Sequence, residues 1–229
     1  MQVLAFDTST DWLSVALYDG RDAVVHCERA GQAASARILP AIGELLDAEG
    51  TPLTQLAGIA YGAGPGSFTG VRIACGVAQG LAFGADLRVY GVPTLGALAQ
   101  AAWRRSGANR VVSCLDARMR EVYVAAYVRD DTGWTLASGP AVCKPDAVVV
   151  PPGEWEGAGD GFAVYPQLVE RLALARCDAA LFPDARSVAE WSWPHLVAGE
   201  GVEAAHAEPL YVRHRVALTS AERAAGQRL

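Results

Sequence analysis

Gly62-Ala-Gly-Pro-Gly-Ser-Phe-Thr-Gly70, running on into Val71–Phe83, is the stretch that decides how this chain reads. A glycine loop between a strand and a helix presents backbone N–H groups and a helix N-terminus, an arrangement suited to an anion. The loop departs from the phosphate-binding pattern G-x-x-x-x-G-K-[ST], because it carries no lysine to pair with phosphates. It also lacks G-x-G-x-x-G in the required register, so a tight structural turn is the plainer reading. The helix behind it is more informative. At 100° per residue, Ile73, Val77 and Leu81 gather on one side, which is expected to face a sheet. Arg72, Gly76, Gln79 and Phe83 gather on another, where the glycine lets a second backbone approach and Phe83 stands away from the core. A helix with so few charges is expected to be covered on both faces. Its cover is the helix of the same chain over Ile38–Leu46, or a second subunit docked on both helices, and the two can hold together.

Outward from that loop the chain has a readable order. Val3–Asp7 is an apolar strand, Leu13–Tyr18 a second after a turn at Ser9–Asp11, and Ala23–Cys27 a third beyond the hairpin signal Asp19-Gly20. Ser35 offers an N-cap to a helix whose Ile38, Leu39, Ile42, Leu45 and Leu46 form one stripe. Pro40 is tolerated only in a first turn, so this helix is expected to begin later than Ser35. Leu56–Tyr61 is the strand before the glycine loop. Leu87–Val92 is strand again, and Leu95–Arg105 is helical. The polar connection at Arg104–Asn109 marks the expected boundary between domains 1–105 and 106–229. Beyond it Val111–Leu115, Val122–Val128 and Trp134–Ala137 read as strands. Pro166–Ala175 and Ser187–Val197 read as helices on either side of the short apolar Ala180–Phe182. Residues 139–161, rich in Pro and Gly, carry no clear pattern. The second half thus repeats the first in weaker form. Two related βββαβα subdomains suggest an α/β chain of the actin-like ATPase (ASKHA) type, its halves facing a cleft.

Hydrophobic residues make up 52% of the 229 and charged residues 19%, which is a folded composition rather than a disordered one. Apolar runs such as Ala147-Val148-Val149-Val150 are too short to span a membrane, and no basic leader precedes Val3–Asp7. A cytoplasmic protein is expected. The five cysteines (Cys27, Cys75, Cys114, Cys143, Cys177) contain no CxxC pair and read as buried free thiols. A net charge of −6, with Lys144 the one lysine, is poorly suited to gripping phosphates directly. Any RNA is expected to be held by something else.

Four segments resemble one family. GPGSFTGVRIACGVAQGLA is similar to the TsaB signature of a GPGSFTG loop and a Gly/Ala-rich helix. LAFDTSTDWLSVAL resembles that family's first hairpin, LDARMREVYVAAY the opening of its second domain, and PLYVRHRVAL its C-terminal segment. They occur in family order and span nearly the whole chain. The resemblance implies the actin-like fold and a non-catalytic dimerisation subunit. Its partner is TsaD, the paralogue that transfers threonylcarbamoyl to adenosine 37 of tRNA, and TsaE, an ATPase, binds the pair. It implies contact with tRNA only through the complex, and possible self-association through the same surface. That surface is formed in the family by the N-terminal helices, here carrying Ile38, Ile42 and Leu45, then Arg72, Gly76, Gln79 and Phe83. One departure is Ala34-Ser35, where the family often has His-Ser.

The same comparison argues against catalysis. The catalytic paralogue holds a metal through two histidines with three residues between; Thr94 and Leu98 stand in those places here. The histidines His26, His195, His206 and His214 include no i, i+4 pair and no HExxH, so no metal site is expected. Asp116-Ala117-Arg118-Met119-Arg120 stands where the second phosphate loop would be, without a glycine for close backbone approach. Asp7, Thr8 and Ser9 stand at the first phosphate loop, where Asp7 is a candidate to position a metal. A capped hairpin turn left from an ATPase ancestor is the plainer reading of them. Ser67 sits in no G-x-S-x-G elbow and has no identifiable His–Asp partner, which leaves a protease reading without a nucleophile. No catalytic residue and no cofactor are expected. The alternative is an ATP-dependent actin-like transferase or ATPase in its own right.

Overall fold

In the computed structural model, residues 1–213 are described. The end of the PLYVRHRVAL segment, including His214, lies outside the described residues. The chain order is β1 (Val3–Asp7), β2 (Trp12–Tyr18), β3 (Ala23–Arg29), α1 (Ala34–Ala48), β4 (Gly58–Gly64), α2 (Phe68–Ala85), β5 (Val89–Pro93) and α3 (Thr94–Ser106). It continues with β6 (Arg110–Asp116), β7 (Val122–Asp130), β8 (Gly133–Cys143), β9 (Glu156–Ala158), α4 (Gly161–Val164), α5 (Gln167–Arg171), β10 (Arg176–Asp178) and α6 (Ala185–Val197).

The strands make two five-stranded sheets, β3-β2-β1-β4-β5 and β10-β9-β6-β7-β8. Each sheet begins with an antiparallel meander and adds its last two strands in parallel. The fold is therefore α/β with two similar sheet-and-helix subdomains.

Strand side chains alternate between faces, and here both faces of the central strands are buried. Leu4 and Phe6 of β1 join the core under α1 and α2, whereas Val3 and Ala5 face α3 and α6. In β6, Val112 and Cys114 meet Phe162 and Leu168, whereas Val111 and Leu115 meet Leu95, Leu98 and Ala102 of α3. The layers run α1/α2, first sheet, α3/α6, second sheet, α4/α5. The two middle helices are exchanged: α6 packs on β1, β2 and β4, and α3 on β6 and β7. A polar network joins them, with Arg104 donating to Ser187, Asp184 and Glu190, and Gln100 to Glu190.

Several local expectations differ from the structure. α1 begins at Ala34 with Ala33 as an uncapped N-cap, so Ser35 is not the cap and Pro40 lies inside the helix. Pro40 faces outward, where its missing N–H leaves a kink-prone turn exposed to water rather than buried. The second half has no long helix between its third and fourth strands; a single 3-10 turn, Pro145–Ala147, takes that place. The helix expected over Pro166–Ala175 is only the short α5, stopped where Ala173 adopts φ +47°, and α4 precedes it. The fifth strand of the second sheet is Arg176–Asp178, just before the apolar Ala180–Phe182. β8 is longer than expected and reaches into the unreadable segment as far as Cys143. Of the thiols, Cys75 and Cys114 are buried, but Cys27 is exposed on the edge strand β3.

In α2 the buried face differs from the expected one. Its fully buried face is Val71, Ala74, Cys75, Ala78 and Ala82, whereas Ile73, Val77 and Leu81 are only partly buried. Small side chains let the helix axis approach the sheet closely, so the alanines go inside and the bulkier residues flank them. By length and composition α2 is apolar enough to cross a membrane, contrary to the expectation that every apolar run is too short. One long side of it nevertheless belongs to the core of the first subdomain.

Candidate functional site

Two surfaces follow from this arrangement: the cleft between the subdomains and the outer face of α1 and α2. The cleft has a volume of about 970 Å³. One wall is Ser9–Trp12 with Pro65–Thr69, and the opposite wall is Leu115–Met119 with Tyr123 and Asp160. Trp12 and Phe182 stack in its lining, with centroids 4.6 Å apart and planes 7° from parallel.

The expected first phosphate loop is filled by the protein itself. β4 runs through Gly64 and α2 starts at Phe68, so most of the glycine stretch is strand or helix rather than open loop. It lies directly on the β1–β2 turn. A Cβ at Gly62 would fall 1.8 Å from Oδ2 of Asp7, one at Gly66 2.5 Å from the Ser9 carbonyl, and one at Gly70 1.8 Å from the Thr8 carbonyl. Hydrogen bonds tie the two segments together. The Ser67 amide donates to the Ser9 carbonyl at 2.7 Å, and the Thr8 hydroxyl to the Gly70 carbonyl at 2.7 Å. Glycine is required here for close approach of backbone to backbone, the same property that suits such loops to phosphate.

Asp7 is turned inward and does not line the cleft. Its Oδ1 accepts from the Ser9 amide at 2.8 Å and the Ser9 hydroxyl at 2.7 Å, and its Oδ2 has no hydrogen-bond partner. Burial pushes its carboxyl up to about 6, against the opposing pull of those two bonds. Thr8 is buried as well; of the three candidate relic residues, only Ser9 borders the cleft.

At the equivalent turn of the second subdomain, Arg118, Met119 and Arg120 have φ of +59°, +53° and +61°. Three consecutive non-glycine residues in the left-handed region cost on the order of 1–2 kcal/mol each. The glycine absent from the sequence is thus absent from a backbone that adopts glycine's conformation. Thr94 and Leu98 are buried structural residues, and the Thr94 hydroxyl accepts from the Gly64 amide at 3.0 Å.

On the helix face, the candidate residues separate. Ile38, Ile42 and Leu45 lie in the core and are not available to a partner. The stripe that would dock a partner is the same stripe that must bury against the sheet, and the sheet takes it. Arg72 and Gln79 already hold the end of the described chain: Gln79 donates to the Ala207 carbonyl at 2.8 Å and Arg72 to the Tyr211 hydroxyl at 2.7 Å. Gly76 and Phe83 do face outward, and Phe83 is 84% exposed. Beside them Gly80 and Gly84 also open onto free space, as does Gly43 of α1, where Leu39 is 53% exposed. Sequence reading missed Leu39 as a surface residue because it falls on the edge of the apolar stripe. It also missed the role of Arg213, which rests on contacts about ninety residues away that no local pattern signals.

Residues 23–191 match the family model described as TsaD, tRNA N6-adenosine threonylcarbamoyltransferase. The chain is 43% identical over 223 residues to the tRNA threonylcarbamoyladenosine biosynthesis protein TsaB of Escherichia coli strain K12, covering 95% of this chain and 96% of that protein. It is 40% identical to the TsaB of Haemophilus influenzae, covering 94% and 95%. A solved structure described as YeaZ from Pseudomonas aeruginosa superposes with a TM-score of 0.85 at 42% identity, over 92% of this chain and 99% of that one. Another, of an uncharacterized protein with similarity to peptidase YEAZ from the same organism, gives 0.86 at 42% identity, over 93% and 99%. With sequence and backbone both matched nearly end to end, the chain belongs to the TsaB (YeaZ) family.

Proposed function

We propose that this chain is a non-catalytic partner subunit of a TsaD-type threonylcarbamoyltransferase acting on tRNA, within an actin-like (ASKHA) architecture. The observation that carries the reading is the outer face of α1 and α2, where exposed Phe83 and Leu39 stand among glycines that present bare backbone. Covering Phe83 contributes about 2 kcal/mol from its side chain alone, and the glycines admit a second helix at short range. Protein rather than lipid is the proposed cover, because the opposite side of α2 cannot leave the sheet without opening the core. The filled β1–β2 turn supports the absence of nucleotide chemistry of its own. The repeated strand order of the two sheets supports the actin-like reading and, for the strands, the division into 1–105 and 106–229, with α3 and α6 exchanged between the halves. TsaE binds the resulting pair, tRNA is reached only through the complex, and the setting is the cytoplasm. Self-association uses the same face and competes with TsaD for it.

The test mixes the purified chain with TsaD and measures the mass of the assembly. A one-to-one pair is expected, and Phe83→Glu or Gly76→Arg is expected to weaken it at least tenfold while leaving the fold intact. Unchanged co-elution of both variants would remove this face from the proposal. The chain alone is expected neither to hydrolyse ATP nor to modify tRNA, and to restore synthesis when added to TsaD and TsaE. Robust ATP turnover by the isolated chain establishes the rival reading, an ATP-using enzyme served by the interdomain cleft.

A further inference from the structure

After α6 the chain returns to the first subdomain and follows its edge. Val202 pairs with Val89 of β5 through reciprocal bonds of 2.8 and 2.9 Å. The Glu208 carbonyl accepts from the Tyr61 hydroxyl at 2.7 Å, and the Leu210 amide donates to the Ala63 carbonyl at 2.7 Å. Tyr211 receives Arg72, whose guanidinium also lies 3.7 Å over the Phe68 ring. Every one of these bonds is to the first subdomain. Two residues further on, Arg213 crosses the mouth of the cleft to the second. Its Nη2 donates to the Ala117 carbonyl at 3.1 Å and to Oε2 of Glu121 at 2.6 Å. Its Nη1 lies 3.8 Å from the Met119 sulfur.

The groups it grips bracket the left-handed turn Arg118–Arg120, the most strained backbone among the described residues. That turn is closed by two bonds of its own, Ala117 amide to Glu121 carbonyl at 3.0 Å and Glu121 amide to Arg118 carbonyl at 2.9 Å. The Arg213 side chain is 13% exposed and that of Glu121 32%, so the pair is partly shielded from water. A charge-assisted pair in such a place is stronger than a surface ion pair. The subdomains are joined covalently through Gly107–Asn109 and through Ala179–Asp184, which leads into the buried α6; Arg213 is anchored at the cleft mouth.

We propose that residues 207–213 form a strap across the cleft, with Arg213 as its latch and the strained turn Arg118–Arg120 as the keeper it holds closed. The strap also joins α2, through Arg72, Cys75 and Gln79, to the second subdomain. Release of the latch frees the second wall of the cleft and lets the turn relax. The latch is a property of the isolated chain and does not depend on the partner reading above.

The test is hydrogen–deuterium exchange on the full chain, comparing wild type with Arg213→Ala and with Glu121→Ala, which removes the acceptor from the other subdomain. Both variants are expected to speed exchange in peptides covering 116–122 and 208–212 by about ten- to hundred-fold, the loss of one charged hydrogen-bond pair. Peptides from β1, β4 and α3 are expected to be unchanged. Tyr211→Phe, which leaves Arg213 in place, is expected to leave 116–122 unchanged. Unaltered exchange at 116–122 in both variants overturns the latch. A uniform rise across the whole chain overturns it too, since that reports global destabilisation in place of a local release. Because the readout needs no TsaD, failure here leaves the docking face standing, and failure of docking leaves the latch standing.

Discussion

The β1–β2 turn and the β6–β7 turn occupy the same place in two sheets of the same strand order, yet they are built by opposite means. The first is buried and pinned from above by the glycine stretch, which takes up its hydrogen bonds and leaves one Asp7 oxygen unpaired. The second is exposed and strained, and it is held from the side by Arg213. The loops that follow β4 and β9 explain the divergence. After β4 the glycines lie flat on Thr8 and Ser9. After β9, Gly159 and Gly161 press instead on Cys114, and Asp160 accepts the Asp116 amide at 2.9 Å. The contact is moved back along the strand, so the turn beyond it is free to project into the cleft. One topology thus yields a buried turn and an exposed one, depending on where the glycine loop lands.

The largest effect is expected of Gly70→Ala. Its Cβ would meet the Thr8 carbonyl, a backbone atom that cannot swing aside, so a loss of about 3 kcal/mol is expected in urea unfolding. Retention of wild-type stability would show that the two segments are not packed as described.

Asp7→Asn tests the burial of the first turn by its pH dependence. The folded-state value of about 6 lies above the 3.8 of the unconstrained group. The folded form therefore binds the proton more tightly, and wild-type stability falls as pH rises between about 4 and 6. The asparagine variant is expected to lose that slope and to gain on the order of 2 kcal/mol over wild type at pH 7.5. A wild-type stability curve flat from pH 4 to 6 would place Asp7 in contact with solvent.

The smallest effect belongs to the second turn. Met119→Gly relieves one left-handed residue and is expected to stabilise the chain by about 1 kcal/mol, seen as a rise in Tm. A loss of stability would mean that the Met119 side chain contributes more than its backbone conformation costs.

Much of this was legible in the order of residues. The first three strands, the hairpin at Asp19-Gly20, the helix ending before Gly107 and the duplicated layout all follow from alternation and turn chemistry, which are local. The weak second half was harder, because its third strand carries Pro140 and runs on into a segment with Pro145, Pro151 and Pro152, where no periodicity survives. The proposed docking face was half legible. Phe83 and Gly76 could be singled out, but Ile38, Ile42 and Leu45 could not be assigned to sheet or partner from periodicity alone.

The order of residues alone requires that the stretch 62–70 be glycine-rich and turn sharply into an apolar helix, and leaves it without a lysine in the register of a phosphate-binding loop. Packing in three dimensions gives the glycines their purpose and sets which side of α2 looks outward. In a helix of alanine and glycine the hydrophobic contrast between faces is small, so composition does not orient it. Closeness of approach does. The alanine side allows α2 to settle nearest the sheet, and that leaves Phe83 and the bare backbone of Gly76, Gly80 and Gly84 on the surface.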